Sequence, residues 1–207
     1  MSDDLLMNTM KYKTIFFDAD GVLIKDKFLF TDQLKQDYGI EIEKMLPFFT
    51  GVFRQCSVGK ADLKEELVKV IDDWGWNGTV DELLEYWFTK GTQFEEDVIE
   101  LVKSLCDKGI RCFMATDQEA YRGGHLRQTL GGGKVFEEVF YSAGIGHSKK
   151  TPEFWDDVFT RIGESSRSQT LFIDDDKEKI NAVAQFGIDT YLYTDLEALK
   201  KRLEGYL

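Results

Sequence analysis

The stretch Thr14-Ile15-Phe16-Phe17-Asp18-Ala19-Asp20-Gly21-Val22-Leu23 decides the reading of this 207-residue chain. Four β-branched or aromatic residues in a row, with no polar alternation, fit a short strand buried on both faces, as in a parallel sheet. The run stops at two acids one residue apart, and Gly21 lets the chain turn sharply away with no side chain in the way. Two further runs repeat the pattern. Ile110 to Ala115 ends in Thr116 and Asp117, and Thr170 to Ile173 ends in Asp174-Asp175-Asp176. Val135 to Tyr141 and Ile188 to Tyr193 fit less closely and bring the expected total to about five strands.

Helical patterns lie between them. Phe94, Val98, Leu101, Val102 and Leu105 recur at helical spacing before Gly109, which acts as a stop. Thr151-Pro152-Glu153 opens a helix with an N-cap and a proline at its first position. Thr194-x-x-Glu197 reads as a capping box. Strands alternating with helices imply an open parallel α/β sheet with helices on both faces. The segment 24–93 breaks the alternation, with no convincing strand but helical periodicity at Lys27–Tyr38, Ala61–Asp73 and Thr79–Thr89. A βα connection usually takes about 2–6 residues. The chain therefore reads as a core of residues 1–23 and 94–207, with 24–93 inserted as a small helical domain after the first strand.

Charge narrows the partners. Lys+Arg 26 against Asp+Glu 38 give a net charge of −12, which argues against nucleic acid and against anionic membranes. With 43% hydrophobic residues and two prolines, long disorder is not expected. Cys56, Cys106 and Cys112 show no metal-ligand spacing, so reduced thiols and a cytoplasmic location are expected. Neither a signal-peptide pattern nor an apolar run near the ~18 residues of a membrane span is present.

In an open parallel sheet, ligands bind at the carboxyl ends of the strands, where all these acidic clusters fall. Each cluster alone is an ordinary turn or helix cap. Together, Asp18, Asp20, Asp174 and Asp175 would repel one another by about 4 kcal/mol per pair at 4 Å and an effective dielectric of 20. A hard divalent cation would offset that charge. Oxygen ligands without imidazole or thiolate favour Mg²⁺ over zinc or copper.

These residues also form a known pattern. Phe17-Asp18-Ala19-Asp20-Gly21-Val22-Leu23 resembles the first motif of the haloacid dehalogenase-like superfamily of phosphohydrolases. Thr116 matches the second. Lys149, in Ser148-Lys149-Lys150-Thr151-Pro152-Glu153-Phe154-Trp155, matches the third, and Phe172-Ile173-Asp174-Asp175 the acidic fourth. Lys150 stands where the family usually has proline, so Lys150 is the alternative third-motif lysine. Asp117 stands where Asn is common.

The resemblance implies a Rossmann-like core with a small α-helical cap, and a Mg²⁺-dependent phosphatase acting on a small phosphorylated metabolite such as a sugar phosphate. Asp18 would be the nucleophile that takes up the phosphoryl group. Asp20 would protonate the leaving oxygen and later deprotonate water, its carboxylate neighbours favouring the acid form. Asp18, the Asp20 carbonyl, Asp174 and Asp175 would hold the metal. Thr116, Asp117 and Lys149 would contact the phosphoryl group. The family's true dehalogenases lack the second aspartate, since a departing halide needs no proton. A phosphomutase on the same scaffold is the first alternative, with Arg54 in Thr50-Gly51-Val52-Phe53-Arg54 gripping a second phosphate; a catalytically idle binding module is the second.

Weaker signals read blandly. Gly131-Gly132-Gly133-Lys134 lacks the rest of a P-loop and reads as a loop. Trp74, Trp76 and Trp87 read as core of the inserted domain, and His125 and His147 have no partner spacing. A monomer or homodimer is expected, with neither nucleic acid nor membrane as partner.

Overall fold

The computed structural model describes residues 11–24, 30–90, 92–163 and 166–207. Five parallel strands form one sheet: β1 (Thr14–Phe17), β2 (Arg111–Thr116), β3 (Val139–Tyr141), β4 (Thr170–Asp174) and β5 (Asp189–Leu192). Their order is β3-β2-β1-β4-β5, so β1 lies in the middle, with Phe17 opposite Met114 on one side and Ile173 on the other. The order reverses between β1 and β4, which opens a crevice at their carboxyl ends.

Alternate residues of the short strands face opposite sides, and each side has its own core. Ile15, Phe17, Cys112, Met114, Leu171 and Ile173 pack on one face. There they meet helices over Glu96–Asp107 (α7), Ala120–Leu130 (α8) and Leu196–Arg202 (α12). Phe16, Phe113, Ala115 and Phe172 face the other way. Pro152–Ile162 (α10) and Lys177–Ala184 (α11) cover them through Phe154, Trp155, Val158 and Val183. A one-turn helix, α9 (Ser142–Ile145), follows β3.

Between β1 and α7 the described residues form six helices: α1 (Phe30–Tyr38), α2 (Ile42–Thr50), α3 (Phe53–Cys56), α4 (Leu63–Val68), α5 (Ile71–Trp74) and α6 (Val80–Lys90). They bury a separate cluster including Leu34, Phe48, Leu67, Trp74, Trp76, Leu83 and Trp87. The two chain ends of this segment meet at its base, where Ile24 bridges Phe94 and the Glu95 N–H donates to the Leu23 carbonyl at 2.9 Å.

Several boundaries differ from the sequence reading. The last helix is capped by Asp195 rather than Thr194. Asp195 Oδ1 accepts from the Ala198 N–H at 2.8 Å, and the Thr194 hydroxyl donates to Asp195 instead. A carboxylate one residue along outcompetes a hydroxyl for a helix N–H. The expected strand Val135–Tyr141 begins only at Val139, because the Val135 and Phe136 N–H groups turn back to the Leu130 carbonyl. Ala61–Asp73 splits into α4 and α5. Thr151 occupies the N-cap before Pro152, but its hydroxyl turns back to the Ser148 carbonyl at 3.1 Å. The start of the Lys27–Tyr38 periodicity lies outside the described residues. No helix among the described residues is long and apolar enough to cross a membrane.

Candidate active site

Asp18 follows β1 directly. Its N–H donates to the Ile173 carbonyl at 2.9 Å, so the parallel ladder extends one residue into the acidic motif. Oδ1 accepts from the Ala19 N–H at 2.7 Å. The chain then turns back on itself, with the Leu23 and Ile24 N–H groups both on the Ala19 carbonyl at 2.8 Å. Gly21 makes this possible with φ +75, and a Cβ there would lie 2.1 Å from Asp175 Oδ2. The turn of the first motif and the acids of the fourth therefore fit against each other only through a glycine.

Asp174, at the end of neighbouring β4, is wholly buried, Asp18 is 1% exposed and Asp175 is exposed. One oxygen of each carboxylate lies within 4.8 Å of the others. Asp174 Oδ1 is fixed by the Asp176 N–H at 2.8 Å. An all-oxygen cluster at the mouth of a crevice, with a glycine cradle against it, fits a hard divalent cation.

Lys149 brings positive charge into this cluster. Its Nζ, 0% exposed, lies 2.7 Å from Asp18 Oδ1 and 2.8 Å from Asp174 Oδ2. The loop that carries it is tied down at both sides. Its N–H donates to Asp117 Oδ1 at 3.0 Å, and its carbonyl accepts from the Nε1–H of buried Trp155 at 2.9 Å. Lys150, the alternative, points away and pairs with Glu178 on the surface. Thus Asp117, expected to touch the phosphoryl group, directs its carboxylate to the Lys149 backbone and to the Ser148 hydroxyl at 3.2 Å.

A second lysine joins from α11: Lys179 Nζ is 3.4 Å from Asp18 Oδ2 and 4.0 Å from Asp174 Oδ2. Burial works to raise the Asp18 carboxyl, but Lys149 and Lys179 outweigh it and hold it at about 2. Asp174, pushed up by its own burial and then by the neighbouring Asp18 charge, sits at about 7. Burial also works against the Lys179 ammonium, which the facing Asp18 and Asp174 nonetheless hold in its charged form. The two lysines thus favour the anionic form of Asp18.

Asp20 departs from expectation in its surroundings. Among the described residues its partners are not carboxylates but Arg122, which forks it at 2.6 Å (Nη2 to Oδ1) and 3.1 Å (Nη1 to Oδ2), and Gln118, whose Nε2 donates to Oδ2 at 2.6 Å. Thr116, 1% exposed, ends β2 beside them, with Gln118 Nε2 3.4 Å from its Oγ1. Arg54 is exposed on α3. Trp74, Trp76 and Trp87 are buried in the helical segment's own cluster, and His125 stacks on Phe88 at 5.8 Å.

The structure thus brings Asp18, Asp20, Thr116, Lys149, Asp174 and Asp175 to one crevice and adds Gln118, Arg122 and Lys179. None of these three carries a motif signal. The one available clue is nearness to a strand end: Gln118 lies two residues past β2, and Arg122 and Lys179 lie in the first turns of α8 and α11.

Comparison with known proteins bears on the fold and the family. The model of the haloacid dehalogenase-like hydrolases matches residues 12–187. A search of curated proteins finds no match. Among solved structures, a HAD family enzyme from Bacteroides thetaiotaomicron superposes with a TM-score of 0.77 at 19% identity, over 93% of this chain and 98% of that one. The same organism's enzyme in complex with magnesium and inorganic phosphate superposes at 0.74 and 20% identity, over 91% and 98%. L-2-haloacid dehalogenase from Xanthobacter autotrophicus, with chloropropionic acid covalently bound, gives 0.63 at 15%, over 93% and 82%. At such identities these likenesses are of fold alone, whereas the family match spans most of the sequence: the chain belongs to the haloacid dehalogenase-like hydrolases.

Proposed function

We propose that this hydrolase is a Mg²⁺-dependent phosphatase that cleaves a small phosphomonoester through a phosphoaspartyl intermediate on Asp18. The observation that carries the reading is the presence of Asp20 at the mouth of the crevice, two residues after the anionic Asp18. A departing alkoxide needs a proton and a departing halide does not, so a second carboxyl at this place suits phosphoryl transfer.

Asp18, Asp174, Asp175 and the Asp20 carbonyl would hold Mg²⁺, which supplies positive charge against the phosphoryl oxygens. Asp18 attacks phosphorus in line as the bond to the leaving oxygen breaks, and that oxygen takes the Asp20 proton. Asp20 then accepts a proton from the water that attacks phosphorus, and Asp18 is released. Thr116 donates to a phosphoryl oxygen, and Lys149 faces the charge spread over the equatorial oxygens. Residues 24–93, acting as a cap, would close over the crevice and keep it to small substrates such as sugar phosphates.

The test is release of inorganic phosphate from 4-nitrophenyl phosphate by wild type and Asp18→Asn, with Mg²⁺ and with a chelator. Turnover is expected only with the metal, and to fall at least about a thousandfold in the variant. Turnover that survives in Asp18→Asn, or that ignores the chelator, overturns the proposal.

A further inference from the structure

Asp20 stands on a turn, with a side chain 45% exposed, while the Arg122 side chain beside it is only 10% exposed. The guanidinium thus holds the carboxylate from its buried side, and the rest of the Asp20 side chain stays exposed. A forked Arg–carboxylate contact fixes the plane of the carboxylate, which a single hydrogen bond does not. Gln118 completes the grip: its Nε2 donates to Asp20 Oδ2, and its Oε1 accepts from Arg122 Nη1 at 3.2 Å.

We propose that Arg122, braced by Gln118, is a positioning residue that aims one chosen oxygen of Asp20 at the leaving group. This rests on the acid/base role of Asp20 given above. Oδ2 accepts two donors, from Arg122 and Gln118, whereas Oδ1 accepts only the 2.6 Å bond from Arg122 Nη2 among these three side chains. Oδ1 therefore keeps a lone pair for the proton it hands to the leaving oxygen as the phosphorus–oxygen bond breaks, and for the proton it takes from water afterwards.

The grip is mounted rigidly. Arg122 lies in the first turn of α8, where buried Glu119 accepts the Arg122 N–H at 2.6 Å and the Tyr121 N–H at 2.7 Å. Gln118 in turn reaches the Thr116 hydroxyl at 3.4 Å, so the proton-transferring group and the threonine of the second motif share one support. Such fixing matters, because a misplacement of about 1 Å at a reacting group costs on the order of 10²-fold in rate. A merely structural ion pair would instead affect stability or all substrates alike.

The experiment compares kcat/KM along a series from 4-nitrophenyl phosphate through phenyl phosphate to an alkyl phosphate, whose leaving groups need the proton increasingly. In Asp20→Asn the loss is expected to grow along the series to about 10²–10⁴-fold, the usual worth of a general acid. Arg122→Met should follow the same trend, from less than about fivefold on the nitrophenyl ester to about 10²-fold on the alkyl ester. Arg122→Lys should recover part of the loss, and Asp20→Asn with Arg122→Met should be no slower than Asp20→Asn alone. A loss in Arg122→Met that is uniform along the series, or that multiplies in the double variant, overturns the proposal while leaving Asp20 as the acid. A uniform loss in Asp20→Asn overturns the acid assignment and the proposal with it. Circular dichroism checks the fold of each variant; should Arg122→Met not fold, Gln118→Met carries the same comparison, with the same graded loss expected and a uniform one contradicting it.

Discussion

The sheet and the helical segment 30–90 are both rich in buried aromatic side chains, yet they are ordered by different means. In the sheet, backbone register does the ordering: β1 is paired on both sides, and each residue position is fixed relative to β2 and β4. That is why acids far apart in sequence arrive at one rim. In the helical segment no ladder exists, and ring packing replaces it. Phe30 stacks on Trp87 at 4.3 Å, Phe49 meets Trp87 edge-on at 5.8 Å, and Phe48 meets Trp74 edge-on at 5.4 Å.

Contacts from this segment to the sheet's surroundings include the Tyr121 hydroxyl on Asp62 at 2.7 Å, the Ser142 hydroxyl on the Ser57 carbonyl at 2.5 Å, and the Phe88–His125 stack. The acids thus sit at the ends of strands held in register. The helical segment packs its own core, and both polar and ring contacts join it to its surroundings. Were the segment the cap proposed above, its separate core would let it move as a unit over the acids.

The two regions should come apart most visibly at Trp87. Trp87→Ala should cost the segment about 3–5 kcal/mol of packing. Hydrogen exchange should then show lost protection across 30–90 with β1 and β4 still protected; equal loss in the strands would mean that the two cores are one. A smaller effect is expected at the join between motifs. In Gly21→Ala the left-handed backbone costs about 1–2 kcal/mol, and the new Cβ pushes Asp175 aside. Divalent-ion affinity, read by calorimetry, should fall about 10–100-fold with the helical segment's exchange unchanged. Unaltered affinity would remove Asp175 from the metal site. The mildest is Tyr121→Phe, which deletes one bond between the two regions. It should cost about 0.5–1.5 kcal/mol and raise exchange near Asp62 only. Destabilisation of the whole chain would show that this contact is structural rather than a closure point.

What was legible in the sequence follows the same divide. The strands could be read because unbroken apolar runs ending in acids admit few alternatives, and four motifs in order then placed Asp18, Thr116, Lys149 and Asp174. Helix α2 was hidden by Pro47 inside it, and α8 by the Gly123-Gly124 pair, both of which read locally as breaks. Tertiary packing overrides each. Choosing between Lys149 and Lys150 needed the loop geometry that Asp117 and Trp155 impose. Arg122 and Lys179 were invisible for a plainer reason: a cation one turn into a helix looks like any solvated residue until the strand ends are brought together.

The proposed chemistry requires that Asp18 take up the phosphoryl group. Acid quenching during steady turnover, followed by mass spectrometry of the intact chain and its peptides, tests it directly. A fraction of the protein is expected to carry one added phosphoryl group, located on the peptide containing Asp18 and absent from Asp18→Asn. Phosphate release with no such adduct under any substrate that turns over, or an adduct on another residue, would contradict it.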